Sequence, residues 1–470
     1  MIDALRLTAG WALVWLFGIG VTAALACALR GRPSTPAHVA WTIGAGFFAG
    51  AFGITVWMRV LSYIGLRFSV ADIAAPLAVA TIAMIAWVWR RGALRLPAVS
   101  FVRAPMARIE RLLAIGLSLW LAVRFVLLLL DVVWTPLYPW DAWIQWATKA
   151  RVWYALGQIV PFGRSEAWFA ANGALFFDAS PDYPATVPLW QVWSSLALGR
   201  WDDALMNLPW WLAAVAFAIA IYGALRGAGV QPLFALVGAW LVSSLPLANV
   251  HVAFAGYADL PMAAYFALAA ISLWRWTMSR SRADATLALL FAIACLTIKK
   301  PGLVWALTLL PGIVLAVAPR RAPRLLAGGI AIVVLGLLVL AQMHPVVLGY
   351  RLHLDFAPAW DSLLDSLFLL GNWNLLWYAI VATIAVGWRV LREPPLAPLS
   401  AILAAGMLFL GVVFAFTNAR AWVTDQTTIN RATLHIAPLA LFWMILVVDR
   451  WRGRLVANAA LPTGAAPAAA

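Results

Sequence analysis

Apolar runs of about twenty residues follow one another along almost the whole chain, and this repetition limits the fold more than any other feature. A bilayer core of roughly 30 Å is crossed by about 20 apolar residues in a helix. Inside it, only helices or closed barrels satisfy every backbone polar group. Thirteen runs are read as spans: 8–29, 38–60, 71–90, 112–131, 205–225, 231–250, 260–277, 285–299, 303–318, 325–343, 373–390, 397–416 and 434–449. Three are short, and tilt or local thinning accommodates them. Composition agrees, with 65% of residues hydrophobic and 11% charged, against about 25% charged in soluble domains. The expected fold is all-α and polytopic, with a large outer loop carrying helices that lie in the membrane interface.

Net charge is +15. Spread over a soluble surface this would suit nucleic acid, but the arginines gather in short loops, so no nucleic-acid partner is expected. Arg90, Arg91, Arg95, Arg103, Arg108 and Arg111 fill one loop, Arg275, Arg280 and Arg282 a second, and Arg320, Arg321 and Arg324 a third. Arg389 and Arg392 mark a fourth, and Arg450, Arg452 and Arg454 follow the last span. With thirteen spans all of these fall on one side, which the positive-inside rule makes cytoplasmic. The N-terminus is then outside and the C-terminus inside. Arg59 and Arg67 go against the trend, because their loop is assigned to the outside. No cleavable leader is expected. Cys27 and Cys295 sit inside apolar stretches, so neither a disulfide framework nor a thiolate metal site is expected.

Three long segments face outward: Val132–Ala204, His344–Asn372 and Thr417–Thr433. The first holds nine tryptophans between Trp134 and Trp201, a residue that favours the membrane interface. Trp143, Trp146, Ala150 and Trp153 recur at helical spacing. Pro188–Gly199 is apolar but too short to span. Both stretches read as interfacial helices.

The chemistry-bearing residues all map to that outer side. Asp141, in YPWDAW, reads as a base held among tryptophan rings or as a helix N-cap. Asp182 and Tyr183, in SPDYPAT, read as a turn or as a second acidic group facing the same cavity. His251, Tyr257 and Asp259, in HVAFAGYADLP, form a polar cluster, with Asp259 also placed to cap a helix. Lys299 and Lys300, in TIKKPG, end a span against the positive-inside trend and suit an anionic ligand. Arg431 and His435, in TTINRATLH, lead into the last span, and arginine suits bidentate phosphate contacts. Arg351, His353 and Asp355 are further candidates, without tight metal-ligand spacing. No cofactor or metal is expected.

In order and sidedness these motifs resemble the polytopic glycosyltransferases of the GT-C fold, and among them the bacterial relatives of protein O-mannosyltransferases and lipid A aminoarabinose transferases. Asp141 matches the early acidic residue of the family's first outer loop, although Ala142 replaces the second acid of the usual pair. Tyr183-Pro184 resembles the proline-containing stretch, Gly256–Asp259 the second acidic site, and Thr297–Gly302 the lysine motif, with Lys300 taken as the counterpart lysine. The resemblance covers roughly 111–451 as a catalytic module containing the outer loop 132–204. Residues 1–110 stand as an N-terminal addition with a basic loop, and 452–470 as a disordered tail. It implies a bacterial inner-membrane enzyme that transfers a sugar from a polyprenyl-phosphate donor to a glycan, lipid or protein acceptor on the outer face, with inversion. Asp141 and Asp259 are then catalytic. Lys300, Lys299 and Arg431 bind the donor phosphate, and Asp182, Tyr183, Tyr257 and His435 contact substrate. The alternatives are a lipid-linked sugar flippase, or a polysaccharide polymerase or ligase using a lipid-diphosphate donor.

Overall fold

In the computed structural model the apolar runs become helices, not all of them long enough to cross a bilayer. Described are residues 2–30, 36–92, 107–343, 345–347, 350–352 and 355–459. Four helices come first: α1 (Ile2–Arg30), α2 (Pro36–Tyr63), α3 (Val70–Arg90) and α4 (Arg108–Trp134). The tryptophan-rich segment follows. It holds a π-helical turn, Ala142–Ala147, then α5 (Thr148–Leu156), β1 (Phe162–Gly163), α6 (Ser165–Ala170), β2 (Phe176–Phe177) and α7 (Thr186–Leu198), with β1 and β2 parallel. Next come α8 (Leu208–Gly227), α9 (Pro232–Ser243), α10 (Pro246–Ala253), α11 (Asp259–Ser279), α12 (Arg282–Leu296), α13 (Gly302–Leu307), α14 (Leu310–Val317) and α15 (Ala322–Gln342). The antiparallel pair β3 (Val346–Val347) and β4 (Tyr350–Arg351) leads to α16 (Trp360–Leu364), α17 (Leu376–Gly387), α18 (Ala397–Phe416), α19 (Ala421–Thr424), α20 (Thr428–Leu434) and α21 (Ala437–Ala459).

Among the described residues, seven helices are long and apolar enough to cross a membrane, or up to nine if two bent pairs each count as one crossing. These are features of a multi-pass membrane protein. The thirteen crossings expected from sequence exceed that number. The runs at 285–299 and 303–318 supply only short or interrupted helices, and α17 has 12 residues. The run 260–277 forms α11, which is sheathed by protein from Asp259 to Trp274. A helix so enclosed need not be uniformly apolar.

Two expectations change in detail. The run 231–250 is a broken element, with α9 and α10 meeting at 60°. Pro246 lacks the N–H that a continuing helix needs, and it opens α10 instead, where no partner is required. The exposed carbonyls of the break are satisfied by side chains. Arg124 Nε donates to Ser243 O at 3.2 Å, Asn374 Nδ2 to Ser244 O at 3.0 Å, and Asn249 Nδ2 to Leu245 O at 2.6 Å. Pro188–Gly199, expected at the interface, forms most of α7 and its C-cap, and the helix's tryptophans Trp190 and Trp193 are buried. Trp190 Nε1 donates to Ala51 O on α2, and Trp11 on α1 donates to Ser194. The tryptophans of α7 therefore meet protein rather than headgroups.

The first helices share this core. α1 and α2 cross closely at Gly18, Gly46 and Gly50, and Tyr265 of α11 donates to Phe48 O of α2 at 2.7 Å. Arg95, Arg103 and the tail 460–470 lie outside the described residues, whereas α21 continues to Ala459, past the point where a disordered tail was expected.

Arginines collect at the C-terminal end of α11. Arg275 pairs with Asp284 at 3.2 Å, Arg280 Nη2 donates to Ala316 O at 2.7 Å, and Glu393 pairs with Arg450 and Arg454. The 21 residues of α11 separate this end from Asp259 by about 30 Å, at 1.5 Å rise per residue.

Arg124→Leu tests the account of the break. It leaves Ser243 O and Asn249 Oδ1 without their donor. It should cost about 1–3 kcal/mol, read as a lowered thermal unfolding midpoint in detergent, and a midpoint equal to wild type would remove Arg124 from that role.

Candidate active site

The N-terminus of α11 brings together side chains from four distant parts of the chain. Gly256 makes the approach possible. It has φ +102, and a Cβ there would lie 2.7 Å from Leu137 and 2.8 Å from Ala142. The loop before α11 therefore presses directly on the turn that carries Asp141. Gly302 does the same for TIKKPG, since a Cβ would stand 1.9 Å from Cys295 O. This lets the chain fold back on α12 directly after the lysines.

Asp259 is the hub, and its side chain is fully buried. Oδ1 accepts from Lys299 Nζ at 2.5 Å and meets His435 Nε2 at 3.0 Å. Oδ2 accepts from Arg431 Nε at 2.9 Å, with Nη2 also at 2.9 Å. The carboxylate makes no helix cap, for Ala258 holds that position without a side-chain bond. Its charge nevertheless lies in the first turn of α11, where the helix dipole favours an anion.

Arg431 joins the two acids. Its Nη1 donates to Asp141 Oδ2 at 2.6 Å, and its Cζ sits 4.6 Å from the centre of the Tyr257 ring. Asp141 precedes the π-helical turn but makes no side-chain cap either. Capping therefore explains neither acid. Asp141 is 24% exposed and Arg431 22% exposed, so this part of the cluster is open to a ligand. Tyr257 lies between Arg431 and His251, whose ring is 5.4 Å away. His435 packs against Trp305 at 5.7 Å.

The two lysines of the motif diverge. Lys299 is committed to Asp259, whereas Lys300, taken from sequence as the family's counterpart, lies over the Tyr183 ring at 5.0 Å and meets Asp182 Oδ2 at 3.3 Å. Asp182 is 60% exposed and also meets Arg164 at 3.1 Å. Slight burial opposes its ionisation, but Lys300 and Arg164 hold the carboxyl below its ordinary range. Thus Asp141, Asp259, Lys299, Arg431, Tyr257 and His435 form one cluster, and Asp182, Tyr183 and Lys300 a second, joined through the adjacent lysines.

Sequence reasoning missed Arg59. Its Nη2 donates to Thr186 Oγ1 at 2.9 Å, and Thr186 Oγ1 in turn bonds Thr297 Oγ1 at 2.9 Å. The start of TIKKPG is thereby tied to α2 and α7. The signal was present, because Arg59 broke the inside bias of the arginines. A buried pair was missed as well. Lys149 Nζ donates to Ser180 O at 2.8 Å and stands 3.4 Å from Asp178 Oδ2. Burial pushes the Lys149 ammonium down and the Asp178 carboxyl up. Arg351 is held through its backbone N–H by Asn418, and His353 lies outside the described residues. Among the described residues no group of three or more His, Cys, Asp and Glu could hold a metal ion.

Comparison with protein-family models, with curated proteins and with solved structures finds no match.

Asp259→Ala should be far more damaging than its size suggests. It strands Lys299 and Arg431 without their shared counter-charge, a loss of about 3–5 kcal/mol for a broken buried pair. Denaturation of the two proteins in the same detergent measures it. A change below about 1 kcal/mol, the usual worth of a surface pair, would show that the hub is not structural.

Proposed function

We propose that the chain is a membrane glycosyltransferase that moves a sugar from a polyprenyl-phosphate donor to an acceptor on the outer face. The observation that carries this reading is the cluster at the head of α11. It holds a half-open carboxylate, Asp141, beside a buried one, Asp259, and the two acids are together balanced by Lys299 and Arg431. A third cation, Lys300, lies next to it, 3.3 Å from Asp182.

The acceptor hydroxyl gives its proton to Asp141 as its oxygen bonds the anomeric carbon. The bond from that carbon to the phosphate oxygen breaks, and the electron pair leaves with the polyprenyl phosphate. Negative charge grows on the departing phosphate, where Lys300 and Arg431 offset it. Lys299 stays on Asp259 and holds the position of Arg431, so Lys300 remains the donor-phosphate lysine. Tyr257 and His435 position Arg431 and Asp259 respectively. Attack opposite the leaving group inverts the anomeric centre.

α1 lies antiparallel to α2, as the pairing of Val14 with Gly50 and of Thr22 with Thr42 requires. The N-terminus then lies on the side of the cluster, outside, and the C-terminus on the cytoplasmic side with the arginines.

The broken α9–α10 element favours a transporter as the second reading, since transporters bind substrate at interrupted helices. Here the break is filled by Arg124 and Asn374, and the charges gather beyond it. A polymerase or ligase would share the geometry but use a lipid-diphosphate donor.

Purified protein given a polyprenyl-phosphate sugar should turn over, and Asp141→Asn should lose about 10²–10⁴ of that rate. Lys300→Met should raise KM for the donor and lower kcat. Equal turnover by wild type and Asp141→Asn would remove the proposed base. Movement of labelled lipid across vesicles without transfer would favour the transporter.

A further inference from the structure

Tyr183 carries Lys300 on its ring, and it also lines a cavity of about 370 Å³ that the transfer step does not use. Clefts of about 300–1,000 Å³ hold small ligands. The walls here are rings: Trp153, Phe162 and Tyr183 with Pro161 and Pro181. The charged residue among the lining is Lys149, at 1% exposure.

Lys149 is rigidly held. It bonds Ser180 O and stands at ion-pair distance from Asp178, whose backbone-linked Oδ1 accepts from Ser180 N at 2.6 Å. Those two directions account for two of the three N–H groups of an ammonium. The third is the group that a ligand in the cavity can meet, since Lys149 lines it. A ligand that brings flat apolar faces and one negative charge answers both features.

We propose that this cavity binds a monosaccharide unit bearing a carboxylate, a uronate-type sugar, with its ring against Trp153, Phe162 and Tyr183 and its acid on Lys149. As an acceptor residue held beside the transfer centre, this rests on the glycosyltransferase reading; as a binding site it does not. Aromatic faces pack the C–H faces of a pyranose. Charge-assisted bonds to a buried ammonium are stronger than neutral ones.

Calorimetric titration of the full-length protein in detergent with D-glucuronate, D-glucose and acetate tests this. Glucuronate should bind saturably, and both glucose and acetate roughly tenfold or more weakly, as the loss of a charged bond or of ring contacts implies. Val160→Trp, which fills the cavity without touching a charge, should abolish binding. Lys149→Gln with Asp178→Asn, which keeps the shape of the pair but not its charge, should bring glucuronate down to the level of glucose. Asp141→Asn should leave binding unchanged while transfer is lost. Absence of glucuronate binding, equal binding of acetate, or undiminished binding in a folded Val160→Trp or paired variant would each overturn the site. Glucuronate binding in a protein that shows no transfer would leave the site standing and sink the transferase reading instead.

Discussion

The structure turns on one carboxylate. Asp259 is removed from water and would be intolerable there alone, since an isolated buried charge costs many kcal/mol. Lys299, from the turn after α12, and Arg431 and His435, from α20 and its C-terminal end, surround it. The need to satisfy that charge sets where α12 ends, how α20 approaches α21, and which way Arg431 points. Arg431, so aimed, draws Asp141 in from the tryptophan-rich segment. The tertiary arrangement at this end of the bundle is therefore an electrostatic closure around a single anion.

Much of this was legible in the sequence, and for identifiable reasons. Helical class follows from apolar length, because a bilayer admits few other backbones. Asp141, Asp259, Lys299 and Arg431 stood out because charge is rare in this chain and expensive near a membrane. Their mutual contacts were not legible, since Asp141 and Arg431 are 290 residues apart and no local pattern ties them. The division of labour between Lys299 and Lys300 also escaped. Neighbouring residues leave a turn in different directions, and only the position of Asp259 decides which one is taken.

Where sequence reading departed from the structure, burial was the competing factor. α7 looked interfacial because it is short and rich in tryptophan, yet α1 and α2 pack over it. α11 looked like an ordinary span, yet protein encloses it on nearly all sides. Hydropathy reports how apolar a segment is and is silent on whether lipid or protein answers it. The break after α9 is a similar case. The run 231–250 looked continuous, but α10 opens at Pro246, and side chains from α4 and from the segment before α17 make the break tolerable.

The two adjacent lysines live in different dielectric surroundings. Lys299 is mostly buried against a carboxylate that is fully removed from water, so added salt weakens that attraction little. Lys300 reaches toward an acid largely bathed in solvent, where counter-ions screen attraction over roughly 8 Å at physiological ionic strength. One step along the backbone thus divides an anchor that salt weakens little, which preserves the architecture, from a salt-sensitive arm, whose grip on any anionic visitor weakens as the medium becomes more concentrated.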